Sequence, residues 1–281
     1  MIASVLGLAL SPKHLVFAGL AGAGQVLCLL GRGRRLGRGV LLLAGFVLLG
    51  GIAGLIAPSL SGPLGMHPSP MCSLNKLIAF AWIKGRFALP LGVGLGVILL
   101  LSLLFRKSFC GWACPLGALQ ELLHAVPVPA KLKPFRFRIT NGIRAGFMAA
   151  FFIGLAGFGV ITYDSFNGFE ALHWGFELGA TAVLAVIALA SLFYFRPYCY
   201  LVCPIGLVTW VLEPLALSGV KKDGRLCDGC GACLPDAPCP SLEGIVAGKS
   251  PWIADCVSCG WCLDACPKGA LKTGVLWMER P

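Results

Sequence analysis

Near the C-terminus the chain carries two cysteine runs, Cys227-x2-Cys230-x2-Cys233-x5-Cys239-Pro240 and Cys256-x2-Cys259-x2-Cys262-x3-Cys266-Pro267. Cysteines three residues apart in a tight loop aim three thiolates at one iron–sulfur cubane, and in a tandem pair the cysteine before the proline crosses to the other cubane. The spacing therefore predicts two [4Fe–4S] clusters, with about eight iron per chain. One takes Cys227, Cys230, Cys233 and Cys266; the second takes Cys239, Cys256, Cys259 and Cys262. Structural zinc uses separated C-x2-C pairs and needs neither the third cysteine nor the Cys-Pro. Disulfides would require a domain outside the cytoplasm, and cysteines three apart pair with one another only under strain. The first run departs from the pattern, since Leu234–Pro238 places five residues where three are usual.

The remainder of the chain is built for lipid. Of 281 residues 57% are hydrophobic and only 12% charged, and the mean hydropathy is +0.85, outside the range of soluble domains. Uncharged apolar stretches near the ~20 residues that cross a bilayer lie at about 15–30, 40–60, 87–105, 146–163 and 178–195. The first is the shortest and is rich in Gly and Ala; it lacks the basic start and the small-residue cleavage site of a signal peptide. Lys and Arg gather after the first span, from Arg106 to Arg144, and at Arg196, whereas 164–177 has none and 61–86 only three. The positive-inside rule then puts the basic ends and the C-terminus in the cytoplasm and the loops 61–86 and 164–177 outside. That asymmetry accounts for the net charge of +11, so nucleic acid is not required as a partner. Lys131–Arg138 reads as a juxtamembrane anchor on anionic lipid.

Phe105-Arg-Lys-Ser-Phe-Cys110-Gly-Trp-Ala-Cys114-Pro-Leu-Gly117 and Phe195-Arg-Pro-Tyr-Cys199-Tyr-Leu-Val-Cys203-Pro-Ile-Gly206 are two copies of one pattern, each following an apolar span. The copies predict two hairpin repeats in parallel orientation, 40–117 and 146–206, with four cysteines at one membrane edge. Pro115 and Pro204 should start short interfacial helices at 116–126 and 205–215, capped by Cys114 and Cys203. A helix N-terminus lowers a thiol pKa, so thiolates are expected there. Cys110, Cys114, Cys199 and Cys203 are candidate cofactor-binding residues, with metal, redox disulfide, partner docking and simple packing all open. Cys28 and Cys72 read as packing residues. Proton-handling groups for a quinol site are offered by His67, Asp164, Glu170, His173 and Glu177 in the outward loops, against the plainer reading of solvated acids and an interfacial His-Trp pair.

These motifs, in this order from about Val40 to Trp277, resemble the NapH/MauN/NosR-type membrane ferredoxins. The N-terminal apolar segment and the long spacer before Cys239 depart from the nitrate-reduction member itself, so a methylamine-type relative stands beside a NapH-like one as a candidate. The resemblance implies an α-helical multi-pass membrane protein with four to five transmembrane helices in duplicated hairpins and a small C-terminal α+β domain like a bacterial ferredoxin. The division is an N-terminal segment at 1–39, a membrane domain at 40–217 and a cluster domain at 218–281. The expected function is electron transfer at the inner membrane, with quinol or quinone, and a c-type cytochrome or ferredoxin-like subunit, as partners. No substrate chemistry beyond redox is expected. The alternative is a maturation factor that supplies electrons for assembly of a periplasmic redox enzyme.

Overall fold

The computed structural model of the chain describes residues 2–30, 34–57, 59, 64, 69–129, 131–132, 136–172, 177–247 and 255–275. It is mostly helical. Pro12–Leu30, at 19 residues, and Phe137–Phe158, at 22, are long and apolar enough to cross a membrane. Leu89–Phe105 and Leu178–Phe193 are shorter apolar helices of 17 and 16 residues. Their outward faces are greasy: Leu29, Leu100, Ile153 and Leu189 are all more than half exposed. Inward, Phe17, Leu74, Ile98, Phe151, Phe169 and Ile205 from successive helices meet in one core.

Proline opens several of these helices, where its missing N–H costs nothing: Pro70, Pro90, Pro115, Pro197 and Pro204 all sit in first turns. The short helices Pro115–His124 and Pro204–Leu212 begin where the Cys-Pro motifs place them, with Cys114 and Cys203 as their caps. Three expectations need correction. The apolar stretch 40–60 is not one helix: Arg34–Leu49 ends at Gly50–Gly51, where Gly51 adopts φ 85° and starts the separate turn Ile52–Ile56. The stretch 146–163 is part of a longer helix only as far as Phe158: that helix begins at Phe137 and is capped by Gly159, φ 65°, so part of the expected basic loop is helical. Finally, the segment 61–86 contains a 15-residue helix, Pro70–Lys84. Ser69 caps it by accepting from the Cys72 N–H at 3.1 Å, and Gly85 closes it at φ 58°.

The C-terminal segment is a small α+β unit. Strand β1, Ser218–Lys222, pairs antiparallel with β2, Leu271–Val275, Ser218 facing Val275 and Lys222 facing Leu271. Both cysteine runs lie in the loop that this pairing closes. The unit is seated on the membrane-edge helices. The Trp112 indole N–H donates to the Ser258 carbonyl at 2.9 Å, and the Leu217 N–H donates to the Leu103 carbonyl at 2.7 Å. At Gly111 a Cβ would stand 2.1 Å from the Val257 carbonyl oxygen, so only glycine permits this approach.

Candidate functional site

The cysteines fall into three sets of four. Cys227, Cys230, Cys233 and Cys266 line one pocket together with Pro267 and Lys268. Cys230 is exposed and Cys227 and Cys266 are half-buried, so this set lies nearest water. Cys239, Cys256, Cys259 and Cys262 interact with one another in the interior. Cys266 thus lies with the first run and Cys239 with the second. The third set is Cys110, Cys114, Cys199 and Cys203, which share a pocket beneath the seated C-terminal unit.

Successive sets are joined by continuous packing. Cys233, Cys239, Cys256, Cys262 and Cys266 belong to one apolar cluster, and Cys110, Cys239 and Cys259 meet in another around Phe195, Tyr200 and Val257. Tyr200 adjoins Cys199 in the chain and faces Cys239, Cys259 and Cys256, so it stands between the second and third sets. Its buried hydroxyl has no hydrogen-bond partner among the described residues.

The third set has a matched frame. Arg196 donates to the Cys110 carbonyl at 2.5 Å, and Arg144 donates to the Cys199 carbonyl at 3.4 Å. Gly117 and Gly206 admit these arginines: a Cβ would lie 3.2 Å from Arg196 Nη1 at the first and 2.7 Å from Arg144 Nη1 at the second. Gln120 donates to Cys199 Sγ at 3.3 Å and accepts from the Tyr198 N–H at 2.9 Å. Four non-glycine residues have left-handed backbones, Arg106 (φ 56°), Arg196 (φ 50°), Asp255 (φ 42°) and Ser258 (φ 53°). All four are buried around these sulfurs. Such strain survives only where surrounding contacts hold it, and it gathers at functional sites.

Buried ion pairs tie the second and third sets together. Asp255, beside Cys256, pairs with Lys107 and with Arg144, the latter at 2.5 Å. Glu213 pairs with Arg106 at 3.2 Å and accepts from the Cys256 N–H at 2.9 Å. Glu121 pairs with Arg38 and Arg196 and accepts from the Trp261 indole at 2.9 Å. Among the described residues five Lys and Arg side chains are buried against three Asp and Glu. An uncompensated positive excess in a low-dielectric interior is unfavourable on its own. A thiolate-ligated cubane, whose net charge is negative, would offset it, so the chemistry of the surroundings fits that group.

The expectation that helix N-termini make these thiols acidic fails. Burial outweighs the helix end, pushing the Cys114 thiol well above its ordinary value and the Cys203 thiol up to about 12. No two of the fourteen cysteines form a disulfide. Among the described residues no His, Cys, Asp and Glu side chains gather tightly enough to hold a single metal ion; the four thiolates of a cubane each take a different iron. Cys72 is buried, with Asn167 at 3.5 Å from its sulfur. Cys28 packs against Gly260, beside Cys259. Of the candidate quinol groups, His67 and His173 lie outside the described residues. Asp164 and Glu170 lie close to each other, with Lys76 near Asp164, and Glu177 is an exposed helix cap.

The family matches cover the Cys-x3-Cys-Pro motifs and the second cysteine run. A family model described as a 4Fe-4S binding domain matches twice, at residues 87–134 and 178–217, each match spanning one Cys-x3-Cys-Pro motif. A second model with that description matches 253–272. The ferredoxin-type protein NapH of Haemophilus influenzae is 28% identical over 187 residues, 63% of this chain and 65% of that protein. The putative electron transport protein YccM of Escherichia coli is 26% identical over 62% of this chain and 53% of its own length. The methylamine utilization ferredoxin-type protein MauN of Methylorubrum extorquens is 29% identical over 73% of this chain and 74% of its own. The chain thus spans less than two thirds of the length of the first two relatives. No solved structure matches it.

Cysteine sets in this framing, with these matches, mark a 4Fe-4S binding protein of the ferredoxin type with two helices long and apolar enough to cross a membrane. The chain is similar to the NapH/MauN-type ferredoxin proteins.

Proposed function

We propose that this protein is a multi-pass inner-membrane relay holding three [4Fe–4S] clusters, which exchanges electrons between the quinol pool and a partner redox protein. The observation that carries the reading is the unbroken packing of three four-cysteine sets, from exposed Cys230 to the Cys-x3-Cys-Pro thiols at the ends of the apolar helices. The clusters would supply one-electron transfer. The chain's own residues set the conditions. Cysteines from two chain segments hold each site, and Lys107, Arg144 and Arg196 offset negative charge at the third. Tyr200 and Val257 keep water from the gap between the second and third. Support for a duplicated membrane domain comes from the double family match and from the left-handed Arg106 and Arg196 at equivalent positions.

Three measurements bear on this. A reduced quinol analogue such as duroquinol, added anaerobically to purified protein, should bleach the iron–sulfur absorbance; no bleaching by duroquinol in protein that dithionite reduces would sink the quinol role. Reporters that fluoresce only in the cytoplasm should be bright when fused after residue 281 and dark when inserted within 164–177. Cys233→Ser and Cys266→Ser should alter the same electron paramagnetic resonance signal although they lie in different runs. Separate signals would refute the crossed ligation.

Tyr200 gives a finer check. With its hydroxyl turned toward a cluster sulfur it would favour the reduced, more negative state, because hydrogen bonds to sulfur raise the potential. Tyr200→Phe should therefore lower one midpoint potential by on the order of tens of millivolts with iron content unchanged. An unaltered potential would leave Tyr200 a packing residue.

A further inference from the structure

A cavity of about 790 Å³, within the usual size of ligand sites, lies apart from the pockets of the first and third cysteine sets. One wall is the C-terminal end of the Pro115–His124 helix, with His124 and Ala125; another is formed by Leu234, Pro235, Ala237 and Pro238 of the spacer that breaks the regular cysteine spacing. Phe195 and the Trp261 indole add aromatic faces, and Cys239, of the second set, opens directly into the space. Lys131, whose ammonium donates to the His124 carbonyl at 2.6 Å, and Arg136 also line it. The cavity is level with the end of an apolar helix, since the Leu132 N–H donates to the Phe193 carbonyl at 3.0 Å, two residues before Phe195.

We infer that this cavity binds the head group of a quinone, with its isoprenoid-type tail running out along the Leu178–Phe193 helix into lipid. The inference rests on the quinol reading above and gives it a place. A quinone head is planar, uncharged and amphipathic: its ring suits Phe195 and Trp261, and its two carbonyl oxygens suit Lys131 and Arg136. Oxidation of a bound quinol would release two electrons, one at a time, through Cys239 to the iron–sulfur clusters, and two protons to the aqueous mouth beside Glu243. On this view the long spacer of the first run exists to build a wall. The site lies at the opposite end of the apolar helices from the 164–177 loop, where the sequence alone suggested proton-handling groups.

The test uses the iron-loaded full chain in lipid nanodiscs, with 2-heptyl-4-hydroxyquinoline N-oxide as fluorescent quinone analogue and an azidoquinone as photolabel. The photolabel should mark peptides containing residues 121–136 and 234–243, and Ala125→Trp, which fills the cavity from its membrane side, should weaken analogue binding at least tenfold. Iron content and reduction by dithionite should be unchanged in that variant. Labelling confined to other peptides overturns the site, as does wild-type affinity in Ala125→Trp; if duroquinol still bleaches the clusters, the quinol reading survives without it. Failure of the wild-type protein to bind the analogue or to be reduced by duroquinol overturns both. Should Ala125→Trp load iron poorly, the labelled peptides of the wild-type protein decide.

Discussion

Cys114→Ala and Cys203→Ala should each lower the iron of anaerobically purified protein from about twelve to about eight per chain, one four-iron cluster. Electron delivery should fall to background in both. The double variant should be no worse than either single, because residues that act as one unit lose their function together. The sequence taken alone implied about eight iron in the intact protein; the third gathering of sulfurs, with its arginine frame, raises the expectation. If the four thiols merely fill space, each substitution will cost a little stability, the losses will add, and iron will stay at its wild-type value.

Glu121→Ala should be the most destabilising single change outside the cysteines. Its carboxylate accepts from Arg38 and Arg196, at 2.7 and 2.8 Å to the second oxygen, and from Trp261 of the C-terminal unit. Removing one member of a buried ion network leaves the others charged and unpaired, at a cost of about 3–5 kcal/mol. Here two guanidiniums would be stranded under the second and third cysteine sets. The pH dependence has a definite sign. Burial alone would raise the Glu121 carboxyl, but Arg38 and Arg196 outweigh it and hold the group down to about 2 from 4.5. Its contribution is therefore complete above about 4.5 and is lost as the pH falls toward 2. Thermal unfolding of Glu121→Gln and the parent should accordingly differ most near neutrality and converge in strong acid. An equal difference at every pH would assign the loss to shape and not to charge.

The C-terminal 4Fe-4S domain was legible because the spacing of its cysteines is local, written in nearly consecutive residues. The apolar stretches 87–105 and 178–195 were legible for the same reason, and Leu89–Phe105 and Leu178–Phe193 differ from them by two residues at one end. The helix Pro70–Lys84 escaped a reading by hydropathy because Ser73, Asn75, Lys76 and Lys84 dilute it. Its ends were nonetheless signalled by Ser69-Pro70 and Gly85, a capping signature that deserved more weight than the average. The ion network had no local signal at all. Asp255 meets partners 148 and 111 residues away, and nothing in the neighbourhood of Lys107 or Arg144 announces an acid so distant. The acidity expected of Cys114 and Cys203 failed on the same ground: the helix start was visible in sequence, but the burial that overrides it arises from what folds on top.

The pairing of β1 with β2 has a bearing on biogenesis. β1 leaves the membrane-edge helices and β2 is the last described element, so the segment between them stays an open loop until residue 275 has emerged from the ribosome. Its eight thiols are accessible to iron-delivery proteins, and to oxidants, throughout that interval. The loop is then closed late, after the helices that precede β1 have been made, and a chain interrupted within β2 would lack the strand pair that closes it.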